Sequence, residues 1–306
     1  MNMVISIDLG SNTLRIALMH MRSDGSCEVM HSFERIVGSA RGLKQSGEIG
    51  KEAVANIMAA LDMAKDEFDF KNLPCVAVAT AAFRVAQNSQ EIFDEIWQKF
   101  GIKFQLIDGE REARLTFLGV KNAIKRLGLT QENIVCIDIG GASSEISDGC
   151  EFRSFDFGII TFYENFKADS KTQTIKNLRT NAQAVTLDAT KFIKRLKKDT
   201  IILTSSVPTT MVAIKMCMNY AEYEANQING SELKFYDFIE LCEWIFRLDD
   251  VSADIAVGTN RRMPLIAGMI LFEQILKDET AKLIVIDDGL REGVGVEYLY
   301  SAKFKG

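Results

Sequence analysis

The sequence predicts an α/β protein built from two copies of one plan, and three observations predict it. Residues 3–18 and 134–147 each run as an apolar stretch into Asp-x-Gly, a turn of small polar residues and a second, alternating stretch. Asp8 and Asp138, the acids of the two turns, lie 130 residues apart, the length of one domain. Short β-branched runs alternate with segments of helical period through the rest of the chain, which is the rhythm of an α/β fold. At 306 residues, 47% hydrophobic and 25% charged, the chain is long enough to bury two such cores.

Each repeat reads as a buried strand, a turn of phosphate size and a returning strand. A dinucleotide fingerprint would pass from its glycines straight into a helix, so a Rossmann reading is excluded. Between the repeats, strands are expected at 76–82 and 104–108, and helices over 51–70, 89–100 and 110–127. After the second repeat the helical pattern covers 182–198, 209–223, 234–247 and 264–276, with strands at 201–204 and 283–287. Residues 167–176 are polar without apolar period and are expected to form a surface loop. Three prolines mark no linker. The boundary is placed near Leu118, giving a first domain of 1–118 joined by a returning segment, 291–306, and a second domain of 119–290.

Composition excludes several classes. With 36 Lys+Arg against 42 Asp+Glu the formal charge is −6, so no general affinity for nucleic acid or an anionic membrane is expected. The longest apolar run, 263–272, contains Pro264 and Gly268 and is about half the length a spanning helix needs. The N-terminal stretch carries Asp8 and no basic region, unlike a secretion signal, which points to the cytoplasm. The six cysteines form no Cys-x-x-Cys pair and read as reduced core residues; none has Arg six residues on, so cysteine-phosphatase chemistry is out. Two histidines are too few for a zinc centre or a two-histidine phosphatase. No Asp-x-Asp and no Gly-Lys-Ser/Thr occur, which removes aspartyl-phosphate enzymes and P-loop proteins.

Asp8 and Asp138 each sit where a strand ends and are followed two residues on by glycine. Carboxylates there can hold a divalent cation while the backbone N–H groups of the turn face an anion. Both turns are followed by hydroxyl residues, Ser11 and Thr13 in the first, Ser143 and Ser144 in the second. Glu145 is either a third carboxylate of the site or a solvated strand residue. Glu112 falls in the first turn of a helix, where the dipole favours an ionised carboxylate able to take a proton from water, although a plain helix-start glutamate reads the same. Arg84 follows a strand and a small-residue turn, placed either to offset phosphoryl charge or to form a surface ion pair. Lys191, Lys194, Arg195, Lys197 and Lys198 crowd one helix, as a path for a long polyanion or as a solvated face.

The stretch Ile7-Asp8-Leu9-Gly10-Ser11-Asn12-Thr13-Leu14-Arg15 resembles the opening motif of the exopolyphosphatase and guanosine pentaphosphate phosphohydrolase family. Ala79-Thr80-Ala81-Ala82-Phe83-Arg84, Gly109-Glu110-Arg111-Glu112-Ala113-Arg114-Leu115, Ile137-Asp138-Ile139-Gly140-Gly141 and Asp287-Asp288-Gly289-Leu290-Arg291-Glu292-Gly293-Val294 are similar to that family's further motifs, in the same order. The resemblance implies a duplicated actin-like (ribonuclease H-like) two-domain fold with the active site in an interdomain cleft, here in its short form without the added C-terminal helical domain. It also implies that Glu112, directly before Ala-Arg, is the catalytic glutamate, with Arg84 beside the phosphoryl group. The second turn has Ala142 where relatives have glycine, and Thr204-Ser205-Ser206-Val207-Pro208-Thr209 stands where they have Gly-x-Ser-Gly-Thr, leaving less space for an adenine.

The activity this implies is Mg²⁺-dependent (or another divalent cation) hydrolysis of a terminal phosphoanhydride of inorganic polyphosphate or guanosine pentaphosphate. Glu112 would activate water, and Asp138, Glu145 and Asp8 would serve the metal. Gly10, Ser11, Asn12, Thr13, Gly140, Gly141, Ala142 and Ser143, with Arg15 and Arg41, would hold phosphate oxygens, Arg35 being the alternative to Arg41. Two other readings use the same turns, an ATP-dependent small-molecule kinase and a non-catalytic alarmone or polyphosphate sensor. None calls for a membrane or nucleic acid, and each admits a homodimer.

Overall fold

A computed structural model of the chain describes residues 2–129 and 132–303. Two compact units divide it, Met1–Leu129 with Asp288–Gly306, and Thr130–Asp287.

In the first unit, β1 (Met3–Leu9), β2 (Thr13–Met21) and β3 (Cys27–Ile36) form an antiparallel meander. After α1 (Leu43–Ser46) and α2 (Lys51–Ala64), β4 (Cys75–Ala79) joins β1 in parallel; α3 (Ala81–Val85) and α4 (Ser89–Phe100) then lead to β5 (Phe104–Leu106), parallel to β4. The sheet order is β3-β2-β1-β4-β5. Strand β1 is largely buried on both faces, as expected of a run that is apolar apart from Ser6 and Asp8. Helix α5 (Gly109–Arg126) begins at Asp108, whose carboxylate accepts the Arg111 N–H at 2.8 Å. Its 18 residues all belong to the first unit, so the expected boundary at Leu118 falls inside a continuous helix.

The second unit repeats the plan. Strands β6 (Ile134–Ile139), β7 (Ser144–Ser147) and β8 (Phe152–Phe155) form the meander, followed by α6 (Ile159–Phe166), α7 (Lys171–Val185) and α8 (Leu187–Arg195). Strand β9 (Thr200–Thr204) pairs in parallel with β6 and leads into α9 (Ser206–Lys215), α10 (Ala225–Ile228), β10 (Ser231–Leu233), α11 (Phe235–Arg247), α12 (Asp250–Val257) and α13 (Arg262–Leu276). Strand β11 (Lys282–Val285) completes the order β10-β11-β9-β6-β7-β8. The apolar run 263–272 lies in α13, which is buried on every side from Leu265 to Phe272 and forms the middle of this unit's core. Among the described residues no helix is long and apolar enough to cross a membrane.

Several expectations change. The helix expected over 182–198 is divided at Thr186 between α7 and α8 and ends at Arg195, and the one expected over 51–70 ends at Ala64. Residues 171–176 open a helix instead of a loop, because Ser170 caps it by accepting the Gln173 N–H at 3.1 Å and Thr174, Leu178 and Ala182 bury a stripe one side chain wide. That stripe is too narrow to register as periodicity. The helix expected over 209–223 starts at Ser206 and ends at Lys215, where Cys217 turns to φ 58° and the Met218 N–H closes on Ala213.

The chain returns to the first unit as α14 (Leu290–Lys303), which packs along α5 and β1. Glycines let α14 lie against backbone: a Cβ on Gly293 would stand 1.8 Å from the Leu115 carbonyl oxygen, and one on Gly119 2.2 Å from that of Gly289. Arg126 ties the end of α5 to Asp288 with two hydrogen bonds of 2.8 and 3.0 Å. Inside the first turn of α14, burial works against the charged form of Glu292. The Arg291 and Arg15 guanidiniums, with the Gly289 N–H at 2.8 Å, nonetheless hold its carboxyl below the ordinary range. Gly293→Ala is expected to destabilise the chain by about 3 kcal/mol, read as a lower urea midpoint; an unchanged midpoint would contradict the close approach of α5 and α14.

Candidate active site

The two Asp-x-Gly turns have the same internal geometry. The Gly10 N–H donates to the Thr13 carbonyl at 2.9 Å, and the Gly140 N–H to the Ser143 carbonyl at 2.9 Å. In each, the turn's own carbonyls are taken by amides of a segment that follows the third strand. In the first unit, Val37 and Gly38 donate to the Asn12 carbonyl at 2.8 and 3.0 Å, and Ala40 donates to that of Ser11 at 2.7 Å. In the second, Ile159 donates to Gly140 at 2.8 Å, while Ile160 and Thr161 donate to Gly141 at 2.8 and 3.1 Å. A trans peptide points its N–H opposite to its carbonyl. Engaging these carbonyls from behind therefore turns the N–H groups of Asn12, Thr13, Gly141 and Ala142 the other way, as an anion requires.

The structure also ties the first turn to the candidate catalytic pair. The Ser11 hydroxyl accepts the Ala82 N–H at 3.2 Å, which anchors α3 beside the turn. Two residues on, Arg84 donates through Nη1 to Glu112 Oε2 at 2.8 Å and to the Ile107 carbonyl at 3.0 Å. The Glu112 side chain is 11% exposed and that of Arg84 23%, so this pair is held in a sheltered position. Arg41 belongs to the stretch that engages the first turn, its N–H donating to Gly38 at 3.0 Å, whereas Arg35 stacks over Phe33 at 4.6 Å and donates to the Glu34 carbonyl. Arg15 is held by Glu34 at 3.0 Å.

The hairpins differ at one pair of positions. Asp8 faces Arg15 across β1 and β2, whereas Asp138 faces Glu145 across β6 and β7. The second hairpin thus carries two acids side by side and the first an acid beside a cation, so the second is the better cation site on charge alone. Glu145 is buried, and one of its carboxylate oxygens accepts the Ser154 hydroxyl at 2.7 Å. Cys136 lies on the same face. Burial, with Asp138 and Glu145 adding to it, pushes its thiol well above the usual value, so it stays an uncharged core residue.

Sequence reasoning missed Ser154, Gly158 and Thr161. Gly158 before an apolar run reads as an ordinary helix start, and Ser154 as an ordinary strand serine. Of the basic cluster, Lys191, Lys194 and Arg195 lie on α8 and take the solvated reading, exposed and paired with Asp188, Asp278 and Glu151 at 2.6 to 3.4 Å. Lys197 and Lys198 follow the end of the helix, and the Lys198 side chain, only 9% exposed, is held by Glu279 at 3.0 Å. Residues 204–209 are the end of β9 and the packed first turn of α9. Ser205 sits at φ 88°, a region glycine favours, and Val207, Pro208, Thr209 and Met211 are buried in α9.

Sheet order and the two meanders define a two-domain actin-like α/β protein with one Asp-x-Gly turn in each unit. A sequence model of the Ppx/GppA phosphatase family matches residues 19–302, and the chain belongs to that family. Exopolyphosphatase 1 of Mycobacterium tuberculosis is 31% identical over 146 residues, which make up 47% of this chain and 42% of the relative, so the matched part spans less than half of that protein. Among solved structures, the Aquifex aeolicus Ppx/GppA family member matches with a TM-score of 0.77 and 24% identity over 98% of both chains. An exopolyphosphatase from Cytophaga hutchinsonii matches with 0.83 and 23%, again over 98% of both.

A thiol reagent at pH 8 is expected to modify the exposed Cys150 and Cys217 while leaving Cys136 unreacted until the chain unfolds. Mass mapping of the labelled residues checks this, and early labelling of Cys136 would show that the acidic hairpin face is open.

Proposed function

We propose that the chain releases orthophosphate from the end of inorganic polyphosphate or of guanosine pentaphosphate, using Mg²⁺ or another divalent cation, in the cytoplasm. One observation carries this reading. In the second hairpin, outward amides at Gly141 and Ala142 stand beside the Asp138–Glu145 pair, which joins anion-binding and cation-binding groups within a few residues. A metal-complexed polyphosphate has both charges to satisfy.

The donor set fits such a cation. Among the described residues no group of three or more His, Cys, Asp or Glu could hold a metal. Mg²⁺ is commonly held by one or two carboxylates and completes its shell with water and phosphate oxygens. Asp138 and Glu145 would hold it, with Asp8 acting through water. Bound there, the cation supplies charge neutralisation at the bridging and leaving oxygens.

The amides of residues 10–13 and 140–143, with Arg15 and Arg41, hold the non-reacting oxygens. Glu112 takes the proton of the attacking water. Arg84 orients that carboxylate with one nitrogen and has further donors in its planar fork for a phosphoryl oxygen. The names of the Mycobacterium and Cytophaga proteins support polyphosphate as the substrate. The packed strand-to-helix junction at 204–209 supports hydrolysis over an ATP-dependent kinase.

Phosphate release from polyphosphate, guanosine pentaphosphate and ATP, compared with Mg²⁺ and with chelator, tests the reading. Release from the first two that chelator abolishes is the expected result. Glu112→Gln is expected to lower turnover about 10²- to 10⁴-fold while calorimetric affinity for Mg²⁺-tripolyphosphate is kept. Undiminished release by that variant would overturn the role given to Glu112.

A further inference from the structure

We infer that the start of α6 shapes the second anion turn, and that Gly158 is the positioning residue that lets it do so. The inference rests on the phosphate role proposed for that turn. The first N–H groups of a helix have no partner within it. Those of Ile159, Ile160 and Thr161 all donate to the turn, to Gly140 and Gly141. The positive end of α6 is therefore directed at the turn's carbonyls, and the N–H groups of Gly141 and Ala142 are what remains for a ligand. Ser144, fully buried, adds a hydrogen bond of 2.7 Å from its hydroxyl to the Phe157 carbonyl.

Backbone conformation does not explain the glycine at 158. Its φ of −153° and ψ of 176° are extended values open to any residue. Space explains it. A Cβ there would stand 2.4 Å from Ala142 N, 2.5 Å from Gly141 C and 2.6 Å from Gly140 O, all of them backbone atoms of the turn. One side must give way. Helix α6 is wedged by buried Ile159, Ile160 and Phe162 and packs on α13, whereas Gly140 and Gly141 are only half-buried. The turn is the side that moves, and its outward amides move with it.

Affinity for Mg²⁺-tripolyphosphate, measured by calorimetry in the Glu112→Gln background, tests the inference. Gly158→Ala is expected to bind at least about tenfold more weakly, the loss of one hydrogen bond to a charged group. Phe238→Leu is the control. It removes a fully buried ring that packs on Phe272, so it strains the same unit away from α6 and the turn and should lower the melting temperature while leaving affinity unchanged. Ser144→Ala adds no volume and removes only the bond to Phe157. It should weaken binding in the same direction, and it decides the matter if Gly158→Ala does not fold. Wild-type affinity in Gly158→Ala and Ser144→Ala, or an equal loss in Phe238→Leu, overturns the inference. A parent chain that binds no Mg²⁺-tripolyphosphate overturns the reading of the turn as an anion site and the inference with it.

Discussion

A peptide cannot show its carbonyl and its N–H to the same side, and both turns of this protein are governed by that constraint. An anion needs the N–H groups, so each carbonyl must find a donor elsewhere or lie buried without one, at a cost of about 1–3 kcal/mol. The first unit supplies donors from an irregular stretch after β3, the second from the start of a helix. Two unlike segments thus perform one task. Duplication is deeper in the hydrogen bonding than in the sequence, where the repeated stretches end soon after the turns.

The copies have diverged in charge. Arg15 faces Asp8 where Glu145 faces Asp138, and the first unit alone holds the Arg84–Glu112 pair. A division of labour follows under the proposed reading. One unit presents a buttressed acid suited to proton transfer, the other a pair of acids suited to a cation.

Much of the plan was legible in the sequence because its signals are local. Asp-x-Gly after an apolar run gives strand and turn, and the long periods of α4, α5 and α11 locate those helices within a residue or two. What escaped is non-local. Nothing near Gly158 says that the turn 16 residues earlier occupies the space of its missing methyl group. Nothing near Ser154 marks its hydroxyl as the partner of Glu145. Helix α14 was hidden by Gly293 and Gly295, which lower helix propensity and whose purpose appears only when α5 and β2 are in place. The basic cluster was ambiguous because acids that pair with it, Glu151, Asp278 and Glu279, lie far from it in the sequence.

The fit of α14 against α5 also bears on how the polypeptide is made. Leu115 and Gly119 leave the ribosome well before the glycines that cover them, with the whole second unit synthesised in between. At about 5–20 residues per second the delay is on the order of ten seconds. The second unit, uninterrupted in the chain, can close while the first still shows bare apolar surface around Met19, Val78 and Leu115. Newborn chains paused in that window are the ones a chaperone would find.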